Sequence, residues 1–194
     1  MVATEAAKGA TVRSTLELVK LRAGPEGLER VLAGMSAEER TRLAQLSSVD
    51  EIPYSLLVRL WQATDAALSP TDANWMEQAG AYSIESLGVR LYGGILQKPT
   101  PSEFLTQSIS LFQLYYRPGD MEVVETEAGR AVLRLVGFNP VTTLFCRRQT
   151  GGLRRAIELA GATQATARHV RCCLEGDAFC EWELRWAVDA AKGT

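Results

Sequence analysis

Residues 179–188 read FCEWELRWAV and form the strongest local pattern in the chain. Apolar residues alternate there with charged ones: Cys180, Trp182, Leu184, Trp186 and Val188 stand between Glu181, Glu183 and Arg185. A period of two predicts a β-strand with one apolar and one charged face. Its partner is predicted at 166–174, joined through Glu175-Gly176-Asp177, so a β-hairpin is expected.

The preceding segment predicts a second hairpin and a helix. In 121–138, MEVVETEAGRAVLRLVGF, Val and Leu residues flank a Glu-Ala-Gly turn at 127–129, which is typical of a hairpin. Residues 139–160 return to helical spacing, although Gly151 and Gly152 could bend or interrupt that helix.

The first half of the chain predicts helices. Pro25 begins a short one that stops near Gly34, and Ser36 with Glu39 forms a capping box before the next. Further helices are expected at 53–68, at about 74–96 and from about 101 to the residues before Pro118. Gly80 lies on the apolar side of the longest helix, where it costs about 1 kcal/mol against Ala, so close helix packing is expected there.

This order of elements predicts an α+β fold, with N-terminal helices packed on a small antiparallel sheet made of two hairpins with a helix between them. A single domain over 1–194 is expected. Its parts are a flexible N-terminus at 1–10, a helical part at 11–117 and a hairpin-helix-hairpin part at 118–190.

Composition narrows the function. The 194 residues carry 21 Lys plus Arg against 23 Asp plus Glu, a net charge of −2, which argues against a nucleic-acid partner. Apolar runs are far shorter than the ~20 residues that span a bilayer, so we expect no membrane span and a cytoplasmic location. HExxH, GxSxG, Walker and GxGxxG motifs are all absent, which favours a protein that is not an enzyme.

Three cysteines form a candidate cluster. In the predicted register Cys172 lies opposite Cys180, and Cys146 could approach from the preceding helix. Three thiols could hold zinc or iron, but His169 is predicted to point to the opposite face, together with Cys173, so no fourth ligand is evident. Small buried hydrophobes are the favoured interpretation, and a metal or redox site and a structural disulfide are the alternatives.

At these residues the sequence resembles a known family. Cys146 near a helix start, Gly152, and Cys172-x3-Gly176-Asp177-x2-Cys180 before an aromatic-rich strand resemble the vinyl reductase-type (4-vinyl reductase) small-molecule-binding domain, most strongly over 118–188. That domain belongs to the superfamily shared with heme nitric-oxide/oxygen-binding (H-NOX) proteins and TRAPP subunits. Lys8-Gly9, Pro53-Tyr54 and Tyr115-Tyr116-x2-Gly119 are similar to uncharacterised myxobacterial members of the same superfamily.

The resemblance implies helices packed over an antiparallel sheet, frequent dimerisation, and a hydrophobic ligand cavity or a protein-binding surface. It also implies metal binding at Cys146, Cys172 and Cys180. Heme is disfavoured, because the superfamily's heme binders use a histidine on a helix and a Tyr-x-Ser-x-Arg clamp. Here the single histidine, His169, falls in a predicted strand and the clamp is absent.

Two further groups of side chains are candidates for binding. Aromatic residues could line a cavity, although regular spacing is more often typical of plain core: Trp61, Tyr92, Phe112, Tyr115, Trp182 and Trp186. A cluster of arginines could hold an anion, although a solvated helix face is the favoured interpretation: Arg147, Arg148, Arg154 and Arg155.

The preferred function is a sensory or scaffolding module that binds an apolar small molecule or a protein partner. A homodimer is expected, formed through small residues of the 74–96 helix: Gly80, Ser83 and Gly88. No cofactor is required by this interpretation, and the competing functions are a cysteine-based metal or redox domain and an accessory domain of a tetrapyrrole-type reductase system.

Overall fold

Helices and antiparallel strands alternate along the described residues, 5–88, 100–107 and 109–188, of the computed structural model. The helices are α1 (Gly9–Ala33), α2 (Ala37–Gln45), α3 (Tyr54–Leu68), α4 (Trp75–Ser83), α5 (Pro101–Gln107), α6 (Ile109–Tyr115) and α7 (Thr143–Leu159). The strands are β1 (Ala6–Lys8), β2 (Glu51–Pro53), β3 (Tyr116–Arg117), β4 (Asp120–Glu127), β5 (Arg130–Val136), β6 (Thr163–Arg171) and β7 (Glu181–Ala187). The predicted α+β fold is confirmed.

Local sequence signals set several boundaries. Ser36 Oγ accepts a hydrogen bond from the Glu39 amide, and the Glu39 carboxylate accepts one from the Ser36 amide, so the predicted capping box begins α2. Pro25 does not begin a separate helix. Gly24 has a φ of +66°, and α1 continues beyond this kink, since glycine adopts the left-handed conformation without a steric penalty.

The two predicted hairpins form one sheet in the order β4-β5-β7-β6. The central strands β5 and β7 pair with Leu133 opposite Trp182, and both side chains are buried. A second sheet has the order β2-β1-β3. Its strand β1 lies in the segment 1–10, where no strand is predicted from sequence.

The helix predicted at 74–96 is only partly described. Its first part is α4, which passes into a π-helical turn at Ile84–Gly88. Residues 89–99 lie outside the described part. Among the helices that are described, none has the length and apolarity needed to cross a bilayer.

Helices α4 and α7 cross with their backbones in contact. A Cβ added at Gly80 would lie 1.9 Å from the carbonyl oxygen of Arg148, and one added at Gly151 would lie 1.8 Å from that of Glu77. Glycine is therefore required at both positions, and α7 runs uninterrupted through Gly151 and Gly152. The close packing predicted at Gly80 is confirmed.

Two of the three small residues assigned to a dimer contact, Gly80 and Ser83, lie in contacts within the chain instead. Gly80 faces α7, and the Ser83 hydroxyl lies 3.2 Å from the Ser14 hydroxyl of α1. Both residues are buried within the chain. The structure therefore leaves the predicted homodimer without a contact surface at these two positions.

The helix crossing predicts a sharp contrast between neighbouring glycines. Gly80→Ala should destabilise the protein by about 1–3 kcal/mol, because the backbones must separate to admit the methyl group. Gly152→Ala is the matched control, because its Cβ would lie 3.6 Å from its nearest neighbours, the Gly80 carbonyl oxygen and Ile84 Cγ1. It should be neutral or stabilising by up to about 1 kcal/mol. Urea unfolding of the two variants measures the difference, and equal free energies of unfolding would contradict the crossing.

Candidate metal centre and apolar cavity

Four side chains of types that can bind a metal meet at the end of the sheet beside α7. Cys146 comes from the first turns of α7, His169 from β6, Cys172 from the segment after β6 and Cys180 from the residue before β7. One ligand atom from each lies within 4.8 Å of the others. The three cysteines are at most 3% exposed, and His169 is half-buried.

A β-bulge brings His169 into this cluster. On β6 the pairing moves from His169 to Arg171, while on β7 it moves only from Trp182 to Glu181, so Val170 is an extra residue. A bulge shifts the alternation of side chains by one position. His169 and Cys172 therefore face the same side, and the sequence-based placement of His169 on the opposite face is wrong.

The turn between β6 and β7 holds the cysteine pair in place. Cys173–Glu175 form one 3-10 turn, and Gly176 follows with a φ of +101°, which favours glycine. The Asp177 carboxylate accepts a hydrogen bond of 2.8 Å from the Cys172 amide, and the Asp177 amide donates one of 3.1 Å to the Cys172 carbonyl. The Gly176-Asp177 motif thus fixes Cys172 relative to Cys180.

The cluster favours a single thiolate. A hydrogen bond from the Cys146 thiol, assisted by His169 and by the Cys173 backbone amide at 3.4 Å, lowers the pKa of Cys180 to about 4 against the opposing effect of burial. The same hydrogen bond, together with burial, raises the pKa of Cys146, and burial raises the pKa of Cys172. Without a metal, the negative charge therefore resides on Cys180 and the other two thiols stay protonated.

Cys173 lies beside the cluster. Its sulfur is 3.4 Å from the sulfur of Cys180, and burial followed by the contact with Cys180 raises the pKa of Cys173 to about 11. Cys173 is not among the four residues that surround the common centre. All four cysteines are free thiols rather than disulfides.

The donor set fits zinc. Tetrahedral zinc with bonds of about 2.0–2.3 Å places its ligand atoms about 3.3–3.8 Å apart, so these four residues need to close by about 1.5 Å or less. The His169 ring is stacked on Trp182, with centroids 4.6 Å apart, and its buried Nε2 has no hydrogen-bond partner in the described part of the chain. Three cysteines and one histidine are a common donor set of structural zinc sites.

An apolar cavity of about 80 Å³ lies between the sheet and helices α5, α6 and α7. Side chains and backbone of both layers line it: Ile84, Phe104, Leu105, Phe112, Tyr115, Tyr116, Met121, Val123, Leu133, Gln149, Gly152, Leu153 and Ala156. Of the aromatic residues proposed from sequence, Phe112 and Tyr115 lie in this wall.

The other proposed aromatic residues lie elsewhere. Trp61 is fully buried and packs edge-on against Tyr54, and Trp182 stacks on His169. Trp186 packs half-buried against the core and is not part of the cavity lining. Tyr92 lies outside the described residues.

The four arginines of α7 lie in two kinds of environment. Arg147, Arg154 and Arg155 are partly exposed and form ion pairs, with Glu77, Glu158 and Glu85 respectively among their partners. The solvated-face interpretation holds for these three. It is wrong for Arg148, which is 3% exposed. The available signal was spacing, because Arg148 follows buried Leu144 by four residues.

Solved structures similar to this chain include H-NOX proteins. The H-NOX protein from S. oneidensis in the Fe(II)NO state has a TM-score of 0.73 and 15% identity, covering 93% of this chain and 99% of that one. The Fe(II) unliganded H-NOX protein from K. algicida has a TM-score of 0.70 and 14% identity, covering 94% and 98%. A structure from a study of heme distortion in the H-NOX family has a TM-score of 0.69 and 9% identity, covering 96% and 98%. No protein-family model and no curated protein match the chain.

The chain therefore has the H-NOX fold, as the superfamily resemblance implied. The comparison corrects the sequence-based position on heme. Heme was disfavoured because of one histidine's location and one missing motif, yet the solved proteins with this architecture include heme proteins studied for heme distortion. The absence of one sequence motif does not determine whether a protein with this fold binds heme.

Heme binding requires a side chain that ligates the iron and a cavity large enough for the porphyrin. Tyr115, Tyr116 and Met121 are the lining side chains of types that bind heme iron. His169 lies at the separate cysteine cluster. At about 80 Å³ the cavity as described does not fit a porphyrin without separation of its walls.

The cysteine cluster predicts a thiolate in the metal-free protein at neutral pH. The folded pKa of Cys180, about 4, lies below its ordinary value of 9.0. The stabilisation from this group is therefore complete above about pH 9 and is lost as pH falls toward 4. Ultraviolet thiolate absorption should show about one thiolate at pH 7 in the folded chain and none after unfolding in urea.

Cys180→Ser should remove this absorption, while Cys172→Ser should retain it. The two variants delete the same chemical group from the same cluster, so they form a matched pair. Equal loss in both, or an absence of native thiolate above pH 5, would contradict the assigned charge.

Proposed function

We propose that this chain is a zinc-binding sensory module with the H-NOX fold, in which Cys146, His169, Cys172 and Cys180 hold the metal. The observation that supports the proposal is the convergence of four buried or half-buried ligand atoms within 4.8 Å. Zinc would neutralise the Cys180 thiolate and displace the protons of the other two thiols. Its structural role would be to join α7 to the β6–β7 hairpin.

Two features favour metal over the buried-hydrophobe interpretation. Hydrophobic packing alone does not explain why a half-buried imidazole, with a nitrogen that has no hydrogen-bond partner among the described residues, lies beside three thiols. The lowered pKa of Cys180 also places a charge inside the core, where an uncompensated charge is costly. A divalent cation satisfies both groups.

The sensory assignment rests on likeness of fold, which is an argument by analogy. The H-NOX fold and the vinyl reductase-type resemblance over 118–188 both favour a binding module over an enzyme. A homodimer and a cytoplasmic location are the remaining predictions about its setting.

Zinc titration of metal-free protein tests the metal centre. We expect one zinc per chain by elemental analysis, and a loss of affinity of at least about a hundredfold in Cys180→Ser, since even second-shell changes at zinc sites cost 10- to 100-fold. Affinity should fall as pH falls, because protons compete for Cys146 and Cys172, whose pKa values are raised.

Cys173→Ser is the matched control, because Cys173 adjoins Cys172 in sequence and touches Cys180 without belonging to the four-residue cluster. It should retain one zinc with nearly unchanged affinity. Substoichiometric zinc in the wild type, or the same affinity in Cys180→Ser, would return the cysteines to the role of core residues.

A second candidate function is binding of an apolar small molecule in the cavity between the sheet and helices α5–α7. The observation in its favour is a mainly apolar wall from six elements and the π-helical turn, with a single uncharged polar side chain, Gln149, beside the two tyrosines. Predominantly apolar walls with a few polar groups are typical of small-molecule sites. This binding would provide the signal that a sensory module detects.

Toluene tests the apolar cavity because it is small, uncharged and unable to donate hydrogen bonds. We expect a rise in melting temperature with toluene concentration. Leu153→Trp, which fills the cavity from its partly exposed wall, should weaken toluene binding by about tenfold or more, equivalent to about 1.4 kcal/mol. No response of the wild type would exclude this function.

A further inference from the structure

Arg148 places a positive charge in the interior of the protein. Its guanidinium is 3% exposed and is surrounded by neutral groups. Nη2 donates to Ser14 Oγ at 3.1 Å, and Nη1 donates to Thr15 Oγ1 at 3.5 Å. The Tyr116 phenol shares a further hydrogen bond with it, and the Trp61 ring centroid lies 5.5 Å from its central carbon.

Arg148 differs from the other arginines of α7 in lacking an acidic partner. Arg147, Arg154 and Arg155 each pair with a glutamate. Among the described residues, no carboxylate lies within 4.0 Å of the Arg148 guanidinium. A buried cation without a counter-charge is strongly unfavourable, so an anion is the complement that this position requires.

The Arg148 guanidinium also has more N–H donors than these contacts use. Arginine carries five N–H groups, and the Ser14, Thr15 and Tyr116 contacts account for about three of them. Burial raises the pKa of Tyr116, so the phenol stays neutral and acts as a donor as well as an acceptor. An anion beside Arg148 would therefore meet several N–H and O–H donors.

A polar recess next to Arg148 adjoins the apolar cavity, and the two together are called the joined space. The recess has a volume of about 30 Å³ and is lined by Arg148 together with Thr11, Ser83 and Gln149. This recess and the apolar cavity share five wall residues: Ile84, Tyr115, Tyr116, Gln149 and Gly152. One end of the joined space is cationic and hydroxyl-lined, and the other is formed by aliphatic and aromatic side chains.

We propose that the joined space binds a small apolar monocarboxylic acid, with the carboxylate at Arg148 and the hydrocarbon part among Phe104, Phe112 and Leu133. The proposal deepens the apolar-ligand function above and rests on it. Guanidinium and carboxylate are complementary in charge and in planar geometry, which allows two parallel hydrogen bonds.

Octanoate and 1-octanol distinguish this ligand class from a purely apolar one. They share the same hydrocarbon chain and differ in the charged head group. Isothermal titration of the zinc-loaded full chain at neutral pH should show octanoate binding at least about tenfold more tightly than 1-octanol. Methyl octanoate, which keeps the ester oxygens and lacks the charge, should bind like the alcohol.

Arg148→Met should remove the preference while leaving 1-octanol binding intact, because methionine preserves apolar packing and deletes the charge. Arg148→Lys should retain part of the preference. Arg154→Met is the matched control on the same helix, since Arg154 is half-exposed and paired with Glu158. It should leave both affinities unchanged.

Equal affinities for octanoate and 1-octanol in the wild type would overturn the proposal, and so would a preference that survives in Arg148→Met. If Arg148→Met fails to fold, the acid, alcohol and ester comparison on the wild type decides the question alone. Binding of toluene and 1-octanol without a preference for the acid would overturn the carboxylate assignment and leave the apolar-ligand function standing. Failure of toluene and all three octyl compounds would overturn both.

Discussion

Backbone contact between α4 and α7 is the constraint on which both candidate sites depend. Gly80 and Gly151 have no side chain at the crossing, so the two helices approach more closely than any other residue would permit. This approach fixes the height and rotation of α7 over the sheet. With that rotation Cys146 faces the C-terminal hairpin, Arg148 faces α1, and Ala156 closes the cavity.

Sequence patterns that depend on neighbours a few residues apart predicted much of the fold. The capping box of α2 and the two hairpins are encoded by residues that contact each other locally, so spacing alone was sufficient. The bulge at Val170 was not predictable in this way. It depends on how β6 pairs with β7, and it is invisible in a pattern that alternates regularly. The position of His169 depended entirely on that detail.

The burial of Arg148 was difficult to predict from sequence for a different reason. Arg147, Arg148, Arg154 and Arg155 are equivalent in composition, and only rotation about the axis of α7 separates the buried one from the paired ones. The spacing of Arg148 with Leu144 and Gly152 carried this information. The burial of Arg148 was nevertheless not predicted, because a cluster of four arginines is normally exposed to solvent. The aromatic residues were subject to the same ambiguity, and helix rotation placed Phe112 in the cavity wall and Trp61 in the packed core.

Because of the bulge on β6, the cysteine and histidine cluster depends on the number of residues between its members as well as on their identity. His169 and Cys172 are an odd number of positions apart, a spacing that a regular strand would send to opposite faces of the sheet. A related chain could keep all four candidate ligands at the same odd spacing and still lose the site if β6 paired regularly, without the bulge. Conversely, a chain with an even spacing and no bulge would build the same centre from a different pattern. A comparison of relatives must therefore count the residues between the ligands before it compares the ligands themselves.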